Sequence, residues 1–258
     1  MPFTLAHPAA ILPLRHFRPL RTVPLIIGAT IPDLPYFLPA GLSRYGNETH
    51  SLRGSVTICL LLGVIALALI YLLRLPLTAL LSSRARWLCL TALAPYRRPL
   101  EWLVAPLAIL VGVWTHLLWD SFTHTDGWMV HRVAALSAPL TIGSYRGQLC
   151  HVLQYVSSAF GLAAMALWYT RLRVPRAAPA PPGAPRSSVG PVLVLVTAAA
   201  ILIGGVQAMD FFSHTHIIYR TLNIFLTRSL AWFAALYLLA GALVTLQHQH
   251  EEGIAGPG

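Results

Sequence analysis

The stretch "GSVTICLLLGVIALALIYLL", residues 54–73, runs for about twenty apolar or small residues without a charge. An α-helix of that length, rising 1.5 Å per residue, crosses a ~30 Å hydrocarbon core. The composition agrees with this reading. Of the 258 residues, 56% are hydrophobic and 10% are charged, against roughly 25% charged in an ordinary soluble domain. A soluble fold has no way to hide that much apolar surface. The expected class is an all-α, polytopic integral membrane helical bundle.

Further apolar stretches lie at 102–122, 149–170, 190–209 and 229–246. The segment 22–42 is apolar too, but "IPDLP" (31–35) places two prolines and Asp33 inside it, which stops a regular helix. This gives five or six transmembrane helices plus a short N-terminal half-buried helix. The net charge of +10 comes from arginine alone, since the chain has no lysine. Those arginines cluster between apolar stretches, a pattern that points to anionic headgroups and membrane topology rather than to nucleic acid. The stretch 74–100 holds Arg74, Arg84, Arg86, Arg97 and Arg98, and "RLRVPRAAPAPPGAPRSSV" (171–189) holds four more. Both belong on the cytoplasmic side, leaving 43–53, 123–148 and 210–228 on the other.

The expected organisation is a membrane-embedded core at 1–170, a Pro/Ala/Arg-rich cytoplasmic linker at 171–189, an accessory transmembrane hairpin at 190–246 and a disordered tail at 247–258. Cys59, Cys89 and Cys150 lack metal or disulfide spacing and read as apolar packing residues. No basic residue precedes the apolar "FTLAHPAAILPL" (3–14), so the start does not read as a signal peptide. The arginine-only, Ala- and Pro-rich composition suggests a bacterial source, hence a multi-pass protein of the inner (plasma) membrane.

The chemistry gathers in "VGVWTHLLWDSFTHTDG" (111–127), where His116, Asp120 and His124 recur every four residues. On a helix such residues differ by about 40° in direction, so the three share a stripe with Thr123 and Gly127. Ionisable groups in a span are costly and must face the bundle interior. A helix that starts near Glu101 carries His116 roughly 20 Å from the cytoplasmic end, with Asp120 near the far interface. His50, just ahead of the long span, lies on that same side. If the basic cluster Arg15/Arg18/Arg21 is a turn between two short helices, His7 before it and Asp33 after it rise ~12–20 Å to that level. Such a half-span helix survives only where it is packed in protein. Three imidazoles and two carboxylates suit one or two divalent ions such as Zn, Mn or Fe. A pair of them could activate water and clamp a phosphoryl oxygen. The set contains no sulfur, which speaks against a closed structural zinc site.

In this order, "FTLAH" (3–7), "IPDLPYF" (31–37), "THS" (49–51) and "THLLWDSFTH" (115–124) with a following Gly resemble the signature of a bacterial polytopic membrane family catalogued as a domain of unknown function, number 4184. That family is similar to membrane-bound metal-dependent hydrolases, which share an N-terminal His, a PD motif, a THS motif and an H-x-x-x-D helix. The resemblance covers about residues 1–170. It implies a metal-centred site formed by His7, Asp33, His50, His116 and Asp120, and it carries more weight for metal than for hydrolysis. The order Asp, His, His-x-x-x-Asp is also similar to that of zinc-dependent phospholipases C. The chain departs from them at "HVLQ" (151–154), where His151 and Gln154 stand in place of His-x-x-x-Glu.

His151 and Gln154 read either as contacts behind the ligands or to substrate, or as part of close helix packing through Ser157, Ser158 and Gly161. Asp210, His214 and His216 form an isolated ligand-like group whose ordinary reading is an exposed loop. Trp102, Trp114, Trp119 and Trp128 read as interfacial anchors and packing residues. The leading expectation is a metal-dependent hydrolase of a phosphoester or other ester in a lipid or lipid-linked substrate. In it, His124 or Asp126 handles protons and membrane lipids are the partners. The alternative is a non-enzymatic protein that transports or senses a divalent metal or protons. A pure scaffold would bind no metal.

Overall fold

The structure is a computed structural model that describes residues 4–17, 20–37, 44–143, 145–175 and 189–255. Most of the expected linker, 176–188, and Arg18 of the basic cluster lie outside the described residues. In chain order the longer helices are α1 (Thr22–Thr30), α2 (Leu52–Leu72), α3 (Arg74–Ala79), α4 (Ser83–Leu93), α5 (Pro99–Thr123), α6 (Leu149–Arg171), α7 (Gly190–Thr215) and α8 (Ile218–Ala255). A 3-10 helix, Thr4–Ile11, precedes them. The strands β1 (Pro139–Ile142) and β2 (Tyr145–Gln148) form an antiparallel ribbon between α5 and α6, a small departure from the all-α expectation.

Among the described residues, five helices are long and apolar enough to cross a membrane: α2, α5, α6, α7 and residues Arg220–His250 of α8. In the segment 22–42, of which the residues to Phe37 are described, no helix of that length forms. The nine residues of α1 tighten into a 3-10 turn at Ile31–Asp33 and end in a single turn, Leu34–Phe37, as the prolines dictate. The span at 54–73 is less regular than its composition suggests. It enters through a π-helical turn, Ser55–Cys59, just after Gly54, where only glycine fits because a Cβ would stand 1.7 Å from the Glu48 carbonyl oxygen.

Residues 1–68 with 95–173 form one compact unit, and 69–94 with 174–258 a second. The division therefore assigns 69–94 to the unit containing the C-terminal hairpin, where the sequence suggested a continuous core at 1–170. In this second unit α7 turns into α8 at His216, whose left-handed backbone (φ 54°) ends α7. Tyr237 on α8 donates to the Leu77 carbonyl of α3 at 3.0 Å. The expected disordered tail is instead helical as far as Ala255, since no proline or helix-stopping run interrupts 247–255.

In the first unit α1 lies along α5 in the same direction. At one end Arg21 forms a bidentate pair with Glu101, its Nε 2.8 Å from Oε2. An exposed ion pair of this kind is worth about 0–1 kcal/mol, so its role is register more than stability. Midway the two backbones nearly touch. A Cβ at Gly28 would stand 2.1 Å from the Ile109 carbonyl oxygen, and one at Gly112 would stand 2.3 Å from that of Leu25. Small residues at such crossings are how helices pack in lipid, where no hydrophobic drive separates them from solvent. Ile11, Leu25, Ala29 and Ala108 close the seam with the 3-10 helix. Trp114 donates to Ser55 of α2 and Trp119 to Ser157 of α6, each at 3.1 Å, so both tryptophans pack the bundle rather than only anchoring it.

Gly112→Val should drive a side chain into the α1 backbone and cost at least the ~1–3 kcal/mol typical of overpacking. Gly205→Ala, whose Cβ would meet only Phe225 at 3.9 Å, should be neutral or mildly stabilising. Thermal unfolding in detergent compares the two. Equal midpoints would show that the α1–α5 contact does not govern stability.

Candidate metal centre

Each ligand-type side chain reaches the centre by a different local device. The 3-10 turn that ends α1 aims Asp33 inward, where it is fully buried. The Pro32 carbonyl is held by Thr49, whose hydroxyl lies 2.7 Å from it and 2.8 Å from the Gly46 carbonyl. This joins "IPD" to the single turn Gly46–Thr49, and His50 follows at its C-terminal cap. His116 and Asp120 sit one turn apart on α5, both buried.

Two backbone carbonyls then fix the imidazoles. His116 Nδ1 lies 2.8 Å from the Ala29 carbonyl, and His50 Nδ1 lies 2.7 Å from that of Gly46. A carbonyl only accepts, so in each ring Nδ1 carries the proton and, in the neutral ring, Nε2 presents a lone pair. The two Nε2 atoms are 3.3 Å apart. Asp33 Oδ1 stands 3.3 Å from His50 Nε2 and 3.5 Å from His116 Nε2. Asp120 Oδ2 stands 3.4 Å and 3.1 Å from the same two atoms. Both carboxylate oxygens are buried and accept no hydrogen bond of acceptable geometry. Donors about 2.0–2.1 Å from one ion in tetrahedral array stand about 3.3–3.4 Å apart, so these spacings are those of a ligand cage. One ligand atom from each of Asp33, His50, His116 and Asp120 lies within 4.8 Å of the others, and the four residues fit a divalent ion.

The remaining oxygens are held from outside, as ligating carboxylates generally are. Asp33 Oδ2 accepts from Thr4 at 2.6 Å. Asp120 Oδ1 faces His7 Nε2 at 3.0 Å and His124 Nδ1 at 3.3 Å. His7, expected among the ligands of one cluster, thus meets the second oxygen of Asp120, with its ring stacked on His116 at 3.9 Å. His124 does not continue the helical stripe. α5 stops at Thr123, and the imidazole reaches Asp120 from an extended cap residue while Gln154 stands 3.2 Å from its Nε2. Asp126 is exposed, and among the described residues it touches the centre only through its field.

At the α6 entrance the two kinds of contact fall to different residues. Gln154 stands behind His124. Gly161 packs so closely that a Cβ would stand 2.9 Å from the Ala6 carbonyl oxygen. Asp210 and His214 lie in the last turns of α7 rather than in a loop, with His216 as its cap, and His214 is exposed with its Nδ1 2.7 Å from the Asp210 carbonyl. Two residues near the site escape a reading by ligand type. Thr4 precedes His7 by three, the repeat of a 3-10 helix, so both face inward. Tyr36 packs its ring 5.8 Å from that of His50 and over Gly46, where a Cβ would overlap it.

Burial alone would push the His50 imidazole down, but the Asp120 and Asp33 carboxylates beside it prevail and raise it to about 9. Burial would raise the Asp33 carboxyl, yet His116, His50 and Thr4 hold it below the usual carboxylate range. Burial also lowers the His124 imidazole, against the pull of Asp120.

The chain belongs to the family described as domain of unknown function DUF4184, whose model matches residues 1–246. The match runs beyond the motifs at 1–170 and takes in the C-terminal hairpin. Searches of the curated proteins and of the solved structures find no match.

Metal binding should displace protons, because His50 holds one below about 9. Affinity should therefore weaken as pH falls, and calorimetry near neutral pH in buffers of differing protonation enthalpy should register the release. In the metal-free chain the sign reverses. A raised imidazole contributes stability that is complete below about 6.5 and lost as pH rises through about 9. Metal uptake without proton release would contradict the assigned charge states.

Proposed function

We propose that the chain is a membrane-embedded, metal-dependent hydrolase acting on a phosphoester or other ester of a lipid or lipid-linked substrate. The observation that carries this reading is the convergence of four acceptor atoms, from Asp33, His50, His116 and Asp120, on one point. A bound divalent ion (Zn, Mn or Fe) would lower the pKa of a water and polarise a phosphoryl or acyl oxygen. Asp33 and Asp120 supply two negative charges against it, and the Ala29 and Gly46 carbonyls keep both imidazoles turned inward. His124 at Nε2, or Asp126 at the rim, takes up the proton released from water.

The choice of a lipid substrate follows from depth. His50 stands two residues before α2, Asp120 lies in the last turn of α5, and Gln154 lies in the second turn of α6. All three are span ends, and the other ends of α5 and α6 carry Arg97, Arg98 and Arg171. By the positive-inside rule the side of the site is the non-cytoplasmic one of a bacterial inner membrane, and the site lies near headgroup level. A transport path would need polar steps at several depths. Residues 55–72, 102–115 and 155–170 contain no Asp, Glu, His, Lys or Arg, which favours a site over a pore.

The test is turnover of a panel of phospholipids and phosphoesters by metal-reconstituted chain in mixed micelles. Activity should vanish with chelator, return with metal, and fall at least ~100-fold in Asp33→Asn and His116→Ala, since both remove direct ligands. A metal-replete chain that hydrolyses none of the panel, or whose turnover survives either substitution, contradicts the assignment.

A further inference from the structure

We infer that the centre holds two cations, with Asp120 bridging them: the first among Asp33, His50, His116 and Asp120 Oδ2, the second among His7 Nε2, His124 Nδ1 and Asp120 Oδ1. This rests on the metal reading of the first four residues and extends it to a site of its own. The two oxygens of Asp120 are divided between imidazole pairs. Oδ2 faces His116 at 3.1 Å and His50 at 3.4 Å, while Oδ1 faces His7 at 3.0 Å and His124 at 3.3 Å. The rings of His7 and His116 are stacked 3.9 Å apart with an interplanar angle of 22°. Two near-parallel imidazoles thus present Nε2 to different oxygens of one carboxylate, the arrangement by which one carboxylate can serve two ions.

The donor chemistry fits. His7 and Asp120 are buried, so two neutral imidazoles and a carboxylate oxygen can bind a borderline or hard divalent ion away from bulk water. Gln154 stands with its amide nitrogen 3.2 Å from the far nitrogen of His124; binding an ion at Nδ1 requires that amide to turn so that its oxygen accepts the Nε2 proton, the outer contact that orients a ligating imidazole. The first site has four protein donors and takes a reactant only by expanding to five-coordinate, whereas the second has three and keeps the more open shell. Two divalent ions against two carboxylates leave the centre net positive. An anionic phosphoester oxygen would balance that charge, and a neutral ester would not, which narrows the substrate class. With His124 Nδ1 committed to the second ion, Asp126 is left as the proton acceptor near the mouth.

The experiment titrates the metal-free, detergent-purified chain with Mn²⁺ and reads both stoichiometry and electron paramagnetic resonance. The wild type should take two equivalents with a spin-coupled spectrum. His7→Ala and His124→Ala should each retain one equivalent with the signal of an isolated ion, and that retained equivalent also shows that the variant is folded. One equivalent in the wild type, unchanged in number by either substitution, overturns the second site and leaves the first standing, with His7 and His124 only orienting Asp120. Two equivalents that survive both substitutions overturn the ligand assignment. No uptake by the wild type removes both sites and the hydrolase reading with them.

Discussion

Lone pairs directed at one point, in surroundings poor in water, repel one another unless a positive charge lies among them. The centre formed by Asp33, His50, His116 and Asp120 is governed by that constraint. The Ala29 and Gly46 carbonyls commit both Nδ1 atoms as donors, leaving two imidazole nitrogens and two carboxylate oxygens to face each other. Without metal, the Asp120 and Asp33 carboxylates favour a proton on His50 against the pull of burial. A divalent ion meets the same demand with the imidazoles neutral, and it uses the donor spacings as they stand.

Much of the first unit follows from bringing these groups to one depth. α1 is too short to span, so it is carried along α5, registered by Arg21 and Glu101 at one end and by Ala29 and His116 at the other. The second contact requires the backbones to approach within a side chain's width, and Gly28 and Gly112 allow it. The N-terminal segment arrives as a 3-10 helix, which advances about 2.0 Å per residue against 1.5 Å for an α-helix. Eight residues therefore carry Thr4 and His7 to the carboxylates.

What the sequence makes legible depends on how regular the local geometry is. His116 and Asp120 are readable as partners because they are four apart on an uninterrupted helix, and polarity within a span forces them inward. Asp33 and His50 are readable by depth, since their distances from the arginine turn and the long span can be counted in helical rises. His124 shares the interval of four but not the helix, so the spacing finds the residue for a reason that the extended backbone does not supply. Thr4 stays hidden because a three-residue repeat signals nothing unless a 3-10 helix is already known. The grouping of 69–94 with the C-terminal hairpin depends on contacts such as Tyr237 to Leu77, which join residues far apart in sequence and leave no local pattern.

The most direct measurement is X-ray absorption at the edge of whichever metal copurifies with the chain. The expected spectrum has a shell of nitrogen and oxygen near 2.0–2.2 Å, with the outer-shell scattering of imidazole and no sulfur. Chain purified without chelators that carries no metal edge, or one whose metal is ringed by sulfur, would contradict a centre built from Asp33, His50, His116 and Asp120.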